Sequence, residues 1–333
     1  MSETKVSSNE MLSSYQKCTH NSKLDVIAVV SNPVRYQKRY KLYNEFCERM
    51  SKETNVRLTT IELQQGCRPF ATNSKIKLRT MDEIWMKENL INVATQHLPE
   101  DWEYMAWIDT DIEFQNKDWA RETIEQLQTY SVVQMFQHAI DLGPTGETLL
   151  VHTSFMSLYV NGEPMNNYTK HTNYKNGHTG FIFGITRKAY NDIGGLMEFP
   201  ILGSADAHMA LAFIGEVEKS LNKKLNENYK KLARIFQDRC EKHIKRNVGY
   251  VNGTIIHHFH GNKSARQYGT RWNILIENDF DPLTDIKKDC NGLWQLEDTK
   301  LKLRDDIRKY FRQRNEDAVL LTDTSQFTKP NWI

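Results

Sequence analysis

The 333-residue chain is 39% hydrophobic and 26% charged, with 44 Lys and Arg against 42 Asp and Glu. That balance supports a sizeable core, and a net charge of +2 argues against a general nucleic-acid binder, which carries a strong basic excess. No apolar run reaches the roughly 18 residues of a membrane span, the first residues lack a signal-peptide stretch, and Cys18, Cys47, Cys67, Cys240 and Cys290 are scattered and odd in number, which argues against a disulfide framework and for a reducing, cytoplasmic compartment.

Residues 1–22 are rich in Ser, Asn and Thr and read as a disordered tail. LDVIAVVS (24–31) is a short apolar, β-branched run, the pattern of a buried strand. Pro33 opens a helix whose inner face is spaced by Tyr36, Tyr40, Tyr43, Cys47 and Met50. A second strand follows at 56–63, a helix at 81–99, a strand within EYMAWIDTDIEF (103–114), a helix at 119–130 and a strand at 131–137. Strands alternating with helices predict crossover units and a mostly parallel sheet. Neither GxGxxG after the first strand nor GxxxxGK[ST] is present, so the dinucleotide and P-loop phosphate cradles are missing.

Residues 141–178 break the alternation with Gly, Asn, Thr and His and read as a long functional loop. FIFGITRKAY (181–190) returns to strand and helix, and 215–245 is charged and helical, read as an accessory element. GTIIHHFH (253–260) predicts another strand, followed by a basic helix through Arg266 and Arg271 and, over 301–333, a helix and tail. No linker divides the chain, so one domain is expected over 23–300, with a donor half to about 138 and an acceptor half from about 139.

Three motifs carry chemistry. The strand YMAWI runs directly into Asp109 and Asp111, and in a parallel sheet ligands gather at the carboxyl ends of strands. Two acids there suit a divalent cation able to neutralise a diphosphate; solvated loop acids are the plainer reading. Asp206 follows Gly203, Ser204 and Ala205. It suits either a base that takes a proton from a hydroxyl or the N-cap of the helix AHMALAF. In the HHFHG stretch, strand geometry would place His258 and His260 on one face and His257 on the other, and a neutral imidazole there could complete a metal shell. Lys263, Arg266 and Arg271 follow, positioned either to offset phosphate charge or to face solvent.

In this order, the strand with its DxD, the long loop, FIFGITRKAYNDIGGL, LGSAD and HHFHG resemble a nucleotide-sugar glycosyltransferase of the GT-A fold. The resemblance spans about 24–285 and is to the β-1,4-galactosyltransferase-like branch and related cytosolic bacterial and large-virus enzymes. It implies an α/β, Rossmann-like mixed sheet flanked by helices, a UDP-sugar donor and Mn2+ or Mg2+. SNPVR (31–35) resembles the branch's uridine-diphosphate loop, implying Asn32, Pro33 and Arg35 as donor contacts; KENLIN (87–92) implies Lys87 and Asn92, and Lys263 would share the diphosphate charge. Asp109 and Asp111 match the metal-binding DxD, with Asp109 also a donor contact, and His258 or His260 matches the metal imidazole. Asp206 falls where the acceptor-side base stands, although Ala205 replaces the first acid of the branch's pair. The expected activity is transfer of a sugar to an acceptor hydroxyl of unspecified kind. A nucleotidyltransferase and an inactive carbohydrate-binding protein are the alternatives. The first would want a Gly-rich loop after the first strand. The retained acids argue against the second.

Overall fold

The computed structural model describes residues 22–163 and 177–318. The expected tail therefore lies outside the described residues up to residue 21, as does 164–176 of the expected loop. Thirteen strands and nine α-helices are found among the described residues. Seven strands form one sheet in the order β10-β6-β9-β4-β1-β2-β3. These are β1 (Leu24–Ser31), β2 (Val56–Gln65), β3 (Ile76–Thr80), β4 (Tyr104–Ile108), β6 (Val132–Gln134), β9 (Ile182–Thr186) and β10 (Val248–Tyr250). All neighbours run parallel except β9, which is antiparallel to β4 and β6 on either side. The mixed, mostly parallel α/β class is the one the alternation predicted.

The sheet is buried on both faces, which is why β1 is almost continuously apolar. Leu24, Val26 and Ala28 join one core cluster and Ile27 joins the other, because successive side chains leave opposite faces of a strand. Trp107 divides from Ala106 and Ile108 in the same way. Helices α1 (Gln37–Met50), α2 (Lys87–Thr95), α3 (Trp119–Leu127) and α5 (Arg187–Ile193) connect or flank these strands. Helix α6 (Ala205–Phe213) is buried almost throughout and packs against α7 (Glu227–His243).

A second sheet of four strands, β5-β11-β7-β8, stands at the carboxyl end of β4. It comprises β5 (Ile112–Phe114), β7 (His138–Leu142), β8 (Thr148–Thr153) and β11 (Thr254–His257). A hairpin of β12 (Ile286–Lys288) and β13 (Trp294–Leu296) and the helices α4 (Phe155–Val160), α8 (Trp272–Glu277) and α9 (Leu301–Gln313) complete the chain.

Four local readings need correction. The helix expected over 81–99 is confined to Lys87–Thr95. Ahead of it the Trp85 N–H donates to the Ile201 carbonyl at 2.8 Å, and the Asp82 carboxylate accepts from the Leu296 N–H; these tertiary bonds outcompete the helical ones. The expected loop from 141 holds the end of β7, all of β8 and α4 in its first part. The stretch 215–245 is not one helix: Gly215 turns the chain with φ +80°, a 3-10 turn follows, and Asn226 caps α7. The strand expected over 253–260 stops at His257.

A candidate metal centre in a cleft at the strand ends

A cavity of about 660 Å³ opens where β1 and β4 end. Its apolar wall includes Ile27, Val29, Trp107 and Phe181; its polar wall includes Lys87, Asp109, Asp111, Asp206, His257 and His260. The turn Asp109–Thr110–Asp111 joins β4 to β5, closed by the Ile112 N–H donating to the Asp109 carbonyl at 3.2 Å. One strand of the large sheet thus feeds directly into the small one, and the two carboxylates sit at the junction.

Asp111, His257 and His260 offer ligand atoms that all lie within 4.8 Å of one another. The Asp111 Oδ2 is 2.7 Å from His260 Nε2 and 3.7 Å from His257 Nε2. Its Oδ1 is buried and has no hydrogen-bond partner among the described residues. A buried carboxylate oxygen left unpaired is costly, and a cation held between the acid and the two imidazoles would satisfy it. The residues present therefore fit a divalent metal. One carboxylate and two imidazoles favour a transition ion such as Mn2+ over an oxygen-seeking one.

Strand register builds the centre. His257 is the direct neighbour of Asp141 on β7 and of Ile112 on β5. His257 Nδ1 lies 2.7 Å from Asp141 Oδ1, so that carboxylate fixes the ring and leaves Nε2 facing Asp111. Asp141 is buried and also meets His152 and Lys263. Burial alone would raise its carboxyl, but bonds from His152 and His257 hold it well below the usual carboxylate range. Burial opposes charge on His257, yet Asp111 and Asp141 raise its pKa to about 9. His260 is pushed down, by burial and then by Arg266, whose Nη2 lies 2.8 Å from His260 Nε2. Asp111 itself is held well below its ordinary value by His260 and His257, against the effect of burial.

Of the residues expected from sequence, Asp109, Asp111, Lys87, Asp206, His260 and Lys263 line the cavity. Asp109 stands outside the three-residue group and pairs with Lys87; burial raises its carboxyl despite that lysine. The pairing of His258 with His260 is corrected. Because the strand stops at His257, alternation no longer applies beyond it; His257 and His260 converge on Asp111, and His258 turns to Glu113 at 3.0 Å. Asn32, Pro33, Arg35 and Asn92 are not among the lining residues. Asn32 is buried and bonds Tyr36 through both ends of its amide. The Pro33 carbonyl accepts from Arg68, and Arg35 donates to the Pro69 carbonyl. Asn92 bonds Leu196, Glu198 and Tyr190.

Asp206 is the second residue of α6, not its cap; Ser204 takes the N-cap place without a side-chain capping bond. The Asp206 Oδ1 accepts from the Ala207 N–H at 2.9 Å, and Oδ2 lies so close to Gly180 that a Cβ there would approach it to 2.8 Å. Gly203 and Ser204 both have left-handed backbones, φ +87° and +78°. For Ser204 that conformation is strained, and Arg271 holds it by donating to the Ser204 hydroxyl. Across the cleft, buried Gln134 donates to the carbonyls of His178 and Gly180, and His178 stacks on Phe181 with centroids 3.9 Å apart.

Sequence reading missed Asp141, Glu88, Arg39 and the place of His257 beside Asp111. The strand pattern HAIDL with an acid next to its end was the one available signal for Asp141. Glu88 is buried in the cavity wall, and burial raises its carboxyl to about 7.

No protein-family profile and no curated protein matches the chain. Among solved structures it is similar to the catalytic domain of Drosophila β1,4-galactosyltransferase 7 in complex with xylobiose, with 14% identity, a TM-score of 0.31, and coverage of 60% of this chain and 63% of that one. The alignment thus spans less than two thirds of that domain. It is also similar to glucosyl-3-phosphoglycerate synthase from Mycobacterium tuberculosis in complex with Mn2+, UDP-glucose and phosphoglyceric acid, with 10% identity, a TM-score of 0.38, and coverage of 89% and 92%. A putative nucleotide-diphospho-sugar transferase from Desulfovibrio desulfuricans matches with 10% identity, a TM-score of 0.29, and coverage of 87% and 98%. At that distance, function follows from the residues of the cleft alone.

Proposed function

We propose that the chain is a metal-dependent glycosyltransferase that moves a sugar from a UDP-sugar to an acceptor hydroxyl. The observation that carries this reading is the convergence of Asp111, His257 and His260, with Asp206 lining the same cavity. Asp111, His257 and His260 hold the cation. When bound, it supplies Lewis-acid stabilisation of the departing diphosphate. Lys87 positions Asp109 at the donor side. Arg266 and Lys263 line the cavity and offset phosphate charge. Asp206 accepts the acceptor's hydroxyl proton as the new oxygen–carbon bond forms and the sugar–diphosphate bond breaks, releasing UDP. The apolar wall of Ile27, Val29, Trp107 and Phe181 limits water at the reacting carbon.

A cytoplasmic setting fits the four described cysteines, all free, with Cys67 and Cys290 exposed. No helix among the described residues is long and apolar enough to cross a membrane. The test is a donor screen over UDP- and GDP-sugars with Mn2+, reading released sugar. Hydrolysis of a UDP-sugar that stops in chelator is the expected result. Cleavage of no sugar nucleotide, with pyrophosphate release from a nucleoside triphosphate instead, would replace this reading with nucleotidyl transfer.

A further inference from the structure

The residues that follow α9 reach back across the chain. The Asp317 carboxylate accepts from the backbone N–H groups of Gln37 and Lys38, both at 2.9 Å. It thereby caps α1, whose own N-cap residue Tyr36 makes no side-chain capping bond. The Tyr36 hydroxyl accepts from the Asn315 N–H and donates to the Phe311 carbonyl, each at 2.9 Å. Glu316 sits between these ties, with its side chain 1% exposed. Its carboxylate binds Arg39 on α1 and, at 2.6 Å, Arg314, and it lies 3.5 Å from His260 Nδ1. The backbone also makes contact: a Cβ on Gly261 would come within 2.8 Å of the Glu316 Cα, and Gly261 has φ +88°. The glycine after His260 is therefore what lets the C-terminal segment lie against the metal-facing loop.

We infer that residues 315–317 form a strap that completes the metal centre, with Glu316 as the positioning residue for His260. This rests on the metal site of the proposed function. The two imidazoles then each have a carboxylate behind them, at 2.7 Å for His257 and 3.5 Å for His260. Each turns its far nitrogen towards a buried carboxylate, His257 towards Asp141 on a neighbouring strand and His260 towards Glu316 from the far end of the chain. Glu316 fixes the ring orientation that leaves Nε2 on the side of Asp111. It also keeps Arg39 and Arg314, both at the cavity wall, from presenting unpaired charge. Asp317 and Asn315 hold the strap in place without touching the metal ligands.

The experiment is titration of the full chain with Mn2+ alone, followed by calorimetry and by the Mn2+ electron paramagnetic resonance signal. Glu316→Gln should weaken Mn2+ by about 10- to 100-fold, the usual effect of removing a supporting carboxylate. Asp317→Asn, which keeps a good cap, should stay within about twofold of the unsubstituted protein. Glu316→Asp should recover part of the loss. If Glu316→Gln does not fold, the triple variant Arg39→Gln/Arg314→Gln/Glu316→Gln removes both stranded charges and should show the same weakening. Unchanged Mn2+ affinity in a folded variant lacking the Glu316 carboxylate overturns the strap's role while leaving the metal site standing. An unsubstituted protein that binds no Mn2+ overturns the metal reading itself.

Discussion

The two sheets divide stability from chemistry. The seven-stranded sheet is mostly apolar on both faces, with buried exceptions such as Asp25, Glu62 and Gln134; it packs two core clusters and contributes the apolar cleft wall. The four-stranded sheet is small; Asp111 immediately precedes β5, and Asp141, His152 and His257 lie at or next to strand ends. In the large sheet most side chains are placed by volume; at the cleft end of the small one they are placed by which charged neighbour stands opposite. Substitutions in the two sheets should therefore fail in different ways.

The largest expected effect is on ligand binding. Asp111→Asn removes the one carboxylate of the proposed metal group, so calorimetry should find no measurable Mn2+ binding and no Mn2+-supported UDP binding. Retained Mn2+ affinity in this variant would place the cation elsewhere. Asp206→Asn should bind both almost normally and lose turnover by about 10²–10⁴-fold, the usual worth of a general base. Normal turnover would reduce Asp206 to a residue of the first helical turn.

Asp141→Asn sharpens the contrast. It should weaken Mn2+ by about 10- to 100-fold through the loss of the support behind His257. Ile61→Ala, at a fully buried position of β2, should do the reverse. It should cost about 2–5 kcal/mol of stability in chemical denaturation and leave Mn2+ affinity unchanged. Equal metal loss in both variants would erase the division between the sheets.

This difference also explains what could be read in the sequence. LDVIAVVS and YMAWI announce their strands because burial on both faces demands continuous apolar residues, and the DxD announces its site because it follows one of them. Strands β7 and β8 carry polar and exposed residues, including Val151 at 56% exposure, so their segment resembles a loop. The expected pairing of His258 with His260 assumed a strand running to residue 260; β11 stops at His257, so strand alternation does not extend to His260, which comes together with His257 beside Asp111. Glu316 had no local signal, since its partners Arg39 and His260 are supplied by tertiary structure.

The smallest expected effect concerns Glu88, where burial raises the carboxyl to about 7. An acid whose folded pKa exceeds its unfolded value near 4.3 holds its proton longer in the native state. Its burial then costs little below pH 4 and more as pH rises to 7. Glu88→Gln should match the unsubstituted protein in melting temperature at pH 4 and exceed it by a few °C at pH 8. A gain of equal size at both pH values would show that the carboxyl is not the source.

The strap has a consequence for synthesis. Arg39 and Glu316 are separated by 277 positions, and α1 receives its cap from Asp317 at about the same remove. Translation delivers the first strand and helix early and Glu316 after every other residue of the site. A nascent chain can therefore build much of the large sheet while the pocket at its edge still lacks a wall. Under the proposed function, sugar nucleotide and cation would meet a finished centre only once Glu316 has been synthesised, so nascent chains that stop short of it should be incapable of stray donor hydrolysis.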